Sequence, residues 1–392
     1  MVSSRPVATP GAATQSVSSF RLALPGYRFV FPRDHAAHPP FATEWWYYTG
    51  HLQARDERGE QRRFSYQLTF FRQALTPQAL TPQILATRRQ SKWAARDIVF
   101  AHLALTDETY QHFYFTDRIA RAALGLAGAE EQTPHVWIGD WSLRFAGGEQ
   151  KLRASGTDAS GVDTTNVNVT GDSSNSGMPF ALDLTQRALK PLVVHGVNGV
   201  SQKAAGRGRA SHYYSFSRLQ TRGTLRLGEE RFEVTGQSWF DHEFGSNQLA
   251  PGQAGWDWFS LQLDDGRELM LYRMRLRNGG TDPFSSGTIV ERDGRTRHLK
   301  REEFLIESRT TWRSPQSGAA YPARWRVTLP REGIALEVMP TVANQELRTR
   351  RSTGINYWEG SVRATGVQRG RALNGVGYVE LTGYDKPFAA TF

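Results

Sequence analysis

At 392 residues with 39% apolar side chains, among them 11 Trp, 13 Tyr and 21 Phe, the chain is long enough for two packed cores and too aromatic to be disordered. The absence of cysteine excludes disulfides, thiolate catalysis and cysteine-ligated zinc or iron–sulfur centres, and leaves the redox compartment open. A net charge of +10 favours anionic surfaces such as membrane headgroups, yet the arginines are scattered along strand-like runs without a nucleic-acid motif, so no nucleic-acid partner is expected.

Residues 1–25 begin with small residues and are expected to form a disordered linker. They lack the apolar stretch of a signal peptide, and no run in the chain approaches the about 20 apolar residues needed to cross a bilayer. Next comes Phe31-Pro-Arg-Asp-His-Ala-Ala-His38, then Pro39 and Pro40, which forbid a helix, then the aromatic strand start Thr43-Glu-Trp-Trp-Tyr-Tyr. Asp34, His35 and His38 are metal-type side chains with no helix to face them the same way, so they are expected to fix the loop and no metal is expected. Glu44 is expected to be a buried acid paired with Arg33 or Arg72.

Strand-like runs follow at 63–71, 98–106, 111–118, 135–145, 180–186 and 192–195, with helical candidates only at 75–82, where proline interrupts, and at 119–129. Residues 156–177 carry no apolar run and read as a long loop. The glycine-rich stretch 196–209 lacks the spacing of a phosphate loop and reads as a mobile basic flap over a pocket, leading into a strand that puts His212 and Tyr214 on one face. New hairpins begin after residue 218, which suggests domains at 26–218 and 219–392. Turn signals at Asp264-Asp-Gly266, Arg292-Asp-Gly294 and Arg331-Glu-Gly333 separate a second strand series. The fold class is all-β, and two barrels are expected because closure removes the edges that so many aromatic strands would expose.

The chemistry concentrates in 232–244, which alternates so that Trp239, Asp241 and Glu243 share one face and Phe240, His242 and Phe244 the other, followed closely by Trp256 and Trp258. A carboxylic acid among tryptophans is poorly hydrated, which favours its neutral form and makes it a proton donor near neutral pH.

The ordered set Phe31-Pro-Arg-Asp-His, Thr43-Glu-Trp-Trp-Tyr-Tyr-Thr-Gly-His-Leu52, Tyr66-Gln-Leu-Thr-Phe-Phe-Arg72, Tyr213-Tyr-Ser-Phe-Ser-Arg-Leu219, Gly236-Gln-Ser-Trp-Phe-Asp-His-Glu-Phe-Gly245, Gly255-Trp-Asp-Trp-Phe-Ser260, Tyr357-Trp-Glu-Gly360 and Gly377-Tyr-Val-Glu-Leu-Thr-Gly-Tyr384 resembles the lipocalin-like AttH and carotenoid 1,2-hydratase family over nearly everything after residue 25. The resemblance implies two tandem lipocalin-like (calycin-type) antiparallel β-barrels. It also implies acid chemistry by Asp241 with Trp239, His212 and Tyr214 as the matching catalytic positions, and a substrate pocket including Glu243, Trp256 and Trp258. The sequence departs from the hydratases in having Trp239 for Tyr, Tyr214 for Trp, and Glu243 where they tend to carry Asn. The expected activity is a hydratase or cyclase reaction on a prenyl, carotenoid-like or other long apolar substrate, without a cofactor. The alternative is a non-catalytic carrier of a lipid-like ligand in the cell envelope or periplasm, associated with the membrane surface or an ABC transporter. Hydrolysis ranks last, because Ser238 and Ser260 lie in no nucleophile-elbow motif.

Overall fold

A computed structural model describes residues 19–75, 95–159, 177–247 and 249–387 of the chain. Residues 160–176 of the loop expected at 156–177, the proline-interrupted segment after residue 75 and residues 1–18 of the expected linker lie outside these, while Gly156 and Thr157 of that loop are strand. Residues 19–25 are irregular but packed, with Ala23 buried and the Arg21 amide donating to the Pro40 carbonyl at 2.8 Å.

The first sheet comprises β1 (Thr43–Arg55), β2 (Gln61–Ala74), β3 (Asp97–Asp107), β4 (His112–Arg121), β5 (Ala127–Ala129), β6 (His135–Ile138), β7 (Trp141–Ala146), β8 (Glu149–Thr157), β9 (Pro179–Ala188), the two-residue β10 (Val193–Val194) and β11 (Ser201–Gln202), and the long hairpin β12 (Ala210–Leu227) and β13 (Glu230–Gly245). Its order is β4-β3-β2-β1-β13-β12-β9-β8-β7-β6-β5. The sheet curls until β4 meets the end of β8, where the Phe115 carbonyl accepts from the Ala159 amide at 2.8 Å and Arg118 reaches the Ser155 carbonyl at 3.1 Å. The second sheet comprises β14 (Gln253–Leu263), β15 (Glu268–Leu276), β16 (Ser286–Val290), β17 (Thr296–Lys300), β18 (Leu305–Arg313), β19 (Ala320–Leu329), β20 (Ile334–Pro340), β21 (Glu346–Arg348), β22 (Asn356–Gln368) and β23 (Arg371–Leu381). Its order is β17-β16-β15-β14-β23-β22-β20-β19-β18. Both sheets are antiparallel, curled, lipocalin-like barrels.

Alternation accounts for the cores. Trp46, Tyr48 and Leu52 of β1 meet Phe64, Tyr66, Leu68 and Phe70 of β2 inside the first barrel, and Phe259, Leu261, Trp325, Val327 and Trp358 fill the second. The residues between them in sequence build a third cluster, in which Tyr47, Tyr213 and Trp239 from the first barrel's outer face pack on Trp258, Met270, Tyr272 and Tyr378 from the second's.

Three expectations change. The segment 119–129 is strand and turn, not helix, because its alternating side chains pair β4 with β3 and β5 with β6. The run 135–145 is two strands, broken at Gly139-Asp140, where Gly139 takes φ 59°. The boundary expected at 218/219 falls inside β12. The chain leaves the first sheet after Gly245 and enters the second at Gln253, because the turn signal at Gly228 closes a hairpin whose second strand, β13, pairs with β1. No helix among the described residues is long and apolar enough to cross a membrane.

Candidate active site

A cavity of about 390 Å³ lies between the outer faces of the two barrels, within the range of roughly 300–1,000 Å³ typical of small-molecule sites. Its aromatic lining includes Trp45, Tyr47, Tyr213, Trp256, Trp258, Tyr272 and Tyr357, and its carboxyl groups are those of Glu44, Asp241, Glu243, Glu359 and Glu380. Register explains why these residues meet. Tyr47 stands opposite Asp241 and Trp45 opposite Glu243 across β1/β13, and Tyr213 and Ser215 stand opposite Glu243 and Asp241 across β12/β13. On the other wall, Glu359 and Glu380 face each other across β22/β23, with Trp258 opposite Glu380 across β14/β23.

Asp241 is 3% exposed and has no lysine or arginine partner among the described residues. The Trp239 indole donates to its Oδ1 at 2.6 Å, the Tyr213 hydroxyl to its Oδ2 at 2.9 Å, and the Ser215 hydroxyl also to Oδ1. Burial pushes its pKa up to about 7, against the three hydrogen bonds, which favour the ionised form, and with help from the negative charge of Glu243. Glu380 is pushed up to about 7 by burial and by Glu243 and Asp241, and is held down by the Trp256 indole at 2.9 Å and by Lys203. Burial, then Glu380, raise Glu359 well above the usual carboxylate range; the Tyr47 hydroxyl donates to its Oε1. Two buried acids facing each other across a strand pair do not both ionise at neutral pH. Lys203 pairs with Glu243 at 3.1 Å and lies over the rings of Tyr272 and Tyr213 at 4.2 and 5.0 Å, so this ammonium is matched by one carboxylate.

The sequence-derived site is thus divided. Asp241, Glu243, Trp256 and Trp258 line the cavity, and Trp239 supports Asp241 without lining it. His212 and Tyr214 are on the opposite face of the sheet. They stand opposite Phe244 and His242, and period-two alternation sends them into the first barrel while Tyr213 and Ser215 face the cavity. The His212 Nδ1 binds the Gly199 carbonyl at 2.8 Å, and the Tyr214 hydroxyl binds His35 Nδ1 at 2.7 Å and His242 Nδ1 at 3.0 Å. Placing these two residues beside Asp241 was therefore an error of facing.

Residues outside the expected set include Lys203, Tyr213, Tyr47, Glu359 and Glu380. The acid beside an aromatic in Tyr357-Trp-Glu359 and Tyr378-Val-Glu380, at the spacing of Trp239-Phe-Asp241, was the available signal for the last two. Lys203 belongs to the stretch expected to be a mobile flap. Instead that segment is tied down, with the Lys203 amide donating to the Arg209 carbonyl at 2.8 Å and Arg209 reaching Asn247 at 2.6 Å.

At one edge of the cavity, which Glu44 and Arg72 also line, His38, Glu44 and His242 place three metal-type ligand atoms within 4.8 Å of one another. Hydrogen bonds already account for these atoms: Glu44 Oε1 meets His38 Nδ1 at 2.7 Å and His242 Nε2 at 2.8 Å, while Arg72 Nε reaches Glu44 Oε2 at 3.0 Å. The guanidinium and the two imidazoles hold Glu44 well below the usual carboxylate range despite its burial. This is the loop-fixing role expected for His38 and the arginine pairing expected for Glu44, with Asp34 joining through His38 at 3.4 Å.

Neither Ser238 nor Ser215 belongs to a serine–histidine–acid triad. Ser238 sits inside the first barrel with Tyr66 at 2.9 Å and Thr221 at 2.7 Å. Ser215 does meet His195 Nε2 at 2.6 Å, but Asp241 binds the serine, and the far imidazole nitrogen binds Thr288 at 2.8 Å, so no acid orients the histidine as a base.

The family model described as AttH-like matches residues 22–384. Among solved structures, an AttH-type protein from Nitrosomonas europaea is 31% identical with a TM-score of 0.76, covering 93% of this chain and 100% of its own. Kievitone hydratase from Nectria haematococca is 12% identical with a TM-score of 0.64, covering 94% of this chain and 97% of its own, a likeness of fold. No curated protein sequence matches.

Proposed function

Since the chain belongs to the AttH-like family, whose two-barrel fold it shares with a hydratase, we propose that it hydrates or cyclises an isolated, prenyl-type alkene by acid catalysis in the cavity between the barrels. The observation that carries this reading is Asp241. It is a buried acid, titrating near neutral pH, without a basic partner, on the wall of an aromatic cavity. Hydrating an unactivated trisubstituted alkene requires a proton on the less substituted carbon, a tertiary cation, and capture of that cation by water, and none of these steps calls for a cofactor. A carboxyl held in its neutral form supplies the proton. Trp45, Trp256 and Trp258 line the same cavity, and an aromatic face turned toward a desolvated cation is worth about 2 kcal/mol. An acid paired with arginine, as Glu44 is with Arg72, stays ionised and has no proton to give.

The test is incubation with prenyl alkenes of graded length in oxygen-18 water, with mass analysis of the products. Wild type is expected to form labelled tertiary alcohols or cyclised products. Asp241→Asn, which preserves shape and polar contacts, is expected to lose turnover by about 10²- to 10⁴-fold, the usual contribution of a general acid, with ligand affinity little changed. Tight binding of fluorescent lipids by a wild-type protein that converts no alkene would instead identify a carrier.

A further inference from the structure

The hydration reading leaves one step unassigned: the water that captures the cation carries two protons and must lose one. Asp241 is committed to the alkene: Oδ1 accepts from Trp239 and Ser215 and Oδ2 from Tyr213, which leaves one lone pair of Oδ2 for the transferred proton and none to hold the attacking water as well. Glu243 is engaged by Lys203 and by the Ser211 hydroxyl. Glu380 differs from both. Its Oε2 accepts from Trp256 at 2.9 Å, its Oε1 has no hydrogen-bond partner among the described residues, and it is the least buried of the five cavity carboxyls, opening onto the cavity from the second barrel. Behind it stands Glu359, which Tyr47 holds by Oε1 and whose Oε2 is buried without a partner.

We propose that Glu380, backed by Glu359, is the base of the site: it holds the attacking water and takes its proton, while Asp241 on the opposite wall supplies the proton to the alkene. This rests on the reading of the cavity as a hydratase site. The step balances. The Asp241 O–H bond breaks as the alkene's π pair takes the proton, a water lone pair forms the new C–O bond to the cation, and an O–H bond of that water passes its proton to the Glu380 carboxylate. The product is the alcohol, with Asp241 ionised and Glu380 protonated. The cycle closes when the proton returns to Asp241, and since both carboxyls titrate at about 7 that return costs little. The groups facing Glu380 are Glu359 and Tyr357 on β22, Asp241 and Glu243 on β13, Lys203 after β11, Tyr47 on β1 and Trp256 on β14. With Glu359 neutral and Lys203 matched by Glu243, Asp241 and Glu380 have one proton to share at neutral pH.

The test is the pH profile of kcat/KM for alkene hydration by wild type, Glu380→Gln and Glu380→Asp. Wild type should give a bell, its acid limb set by ionisation of Glu380 and its alkaline limb by loss of the Asp241 proton. Glu380→Gln should fall by about 10²-fold or more, and its residual rate should no longer decline toward low pH. Glu380→Asp keeps a carboxylate with a shorter reach and should restore part of the rate together with the acid limb. Equal loss in Gln and Asp variants, or Gln activity within threefold of wild type, overturns the role of Glu380 and leaves the hydratase reading standing. No conversion by wild type overturns both.

Discussion

At the scale of the residue, what separates Asp241 from Glu44 is the company each buried carboxyl keeps. Glu44 is fully buried yet ionised because Arg72, His38 and His242 surround it. Asp241, equally buried, accepts only from neutral donors, has Glu243 close by and feels Lys203 without an ion pair, so desolvation prevails. The Ser215 hydroxyl is one of the groups favouring ionised Asp241. Ser215→Ala should therefore raise the Asp241 pKa further and carry the alkaline limb of the activity profile to higher pH. An unchanged or lowered limb would show that Asp241 does not set it. This contrast was half legible in the sequence. The acid among tryptophans stood out in Trp239-Phe-Asp241, and the pairing of Glu44 with Arg72 was anticipated. The partners on other strands were not, because Ser215 and Tyr213 reach Asp241 only through the β12/β13 register, which local spacing does not reveal.

At the scale of the element, alternation identified most strands and the two faces of β13, while facing between strands escaped it. His212 and Tyr214 share a face with each other, as expected, but they stand opposite Phe244 and His242 and so point away from Asp241. A bulge in β12 compounds the difficulty. Register shifts between Phe216 and Leu219, two residues oppose one, and Ser217 and Arg218 turn onto Glu268 of the second barrel at 3.2 and 2.6 Å. The segment preceding β1 is fastened by Arg72 of β2, which reaches the carbonyls of His38 and Phe41 at 3.0 and 2.8 Å and Asp97 at 2.9 Å, besides Glu44. Arg72→Leu leaves those acceptors buried and unpaired, and should cost about 3–5 kcal/mol in urea-induced unfolding. A loss below about 1 kcal/mol would mean that the histidines alone hold Glu44.

At the scale of the whole molecule, the two barrels press outer face to outer face, and the seam is cross-linked by buried polar groups. Lys190 and Arg218 meet Glu268 at 2.8 and 2.6 Å, His102 meets Tyr357 at 2.8 Å, and Thr106 meets Gln345 at 2.9 Å. The cavity is therefore a product of the junction, and its acids affect stability as well as chemistry. Asp241 and Glu380 have folded-state pKa values above their unfolded ones, so their contribution is complete below the ordinary carboxylate range and is lost as pH rises through about 7. For Asp241 the shift from 3.8 to about 7 corresponds to an energy on the order of 4 kcal/mol. Melting temperature should accordingly fall between about pH 4 and pH 7, and the fall should be shallower in Asp241→Asn combined with Glu380→Gln. An identical slope in the double variant would mean that these carboxyls are not protonated in the folded chain. Depressed carboxyls such as Glu108, held at about 2 by His51, Ser361 and Arg363 despite burial, act in the opposite sense and only under stronger acid. The central claim is that an acid of the protein adds a proton to an alkene carbon, and it is tested most directly by running the reaction in heavy water. The product should carry one non-exchangeable deuterium on the carbon adjacent to the one that bears the new oxygen. Product that carries its new oxygen but no deuterium at that carbon would contradict it.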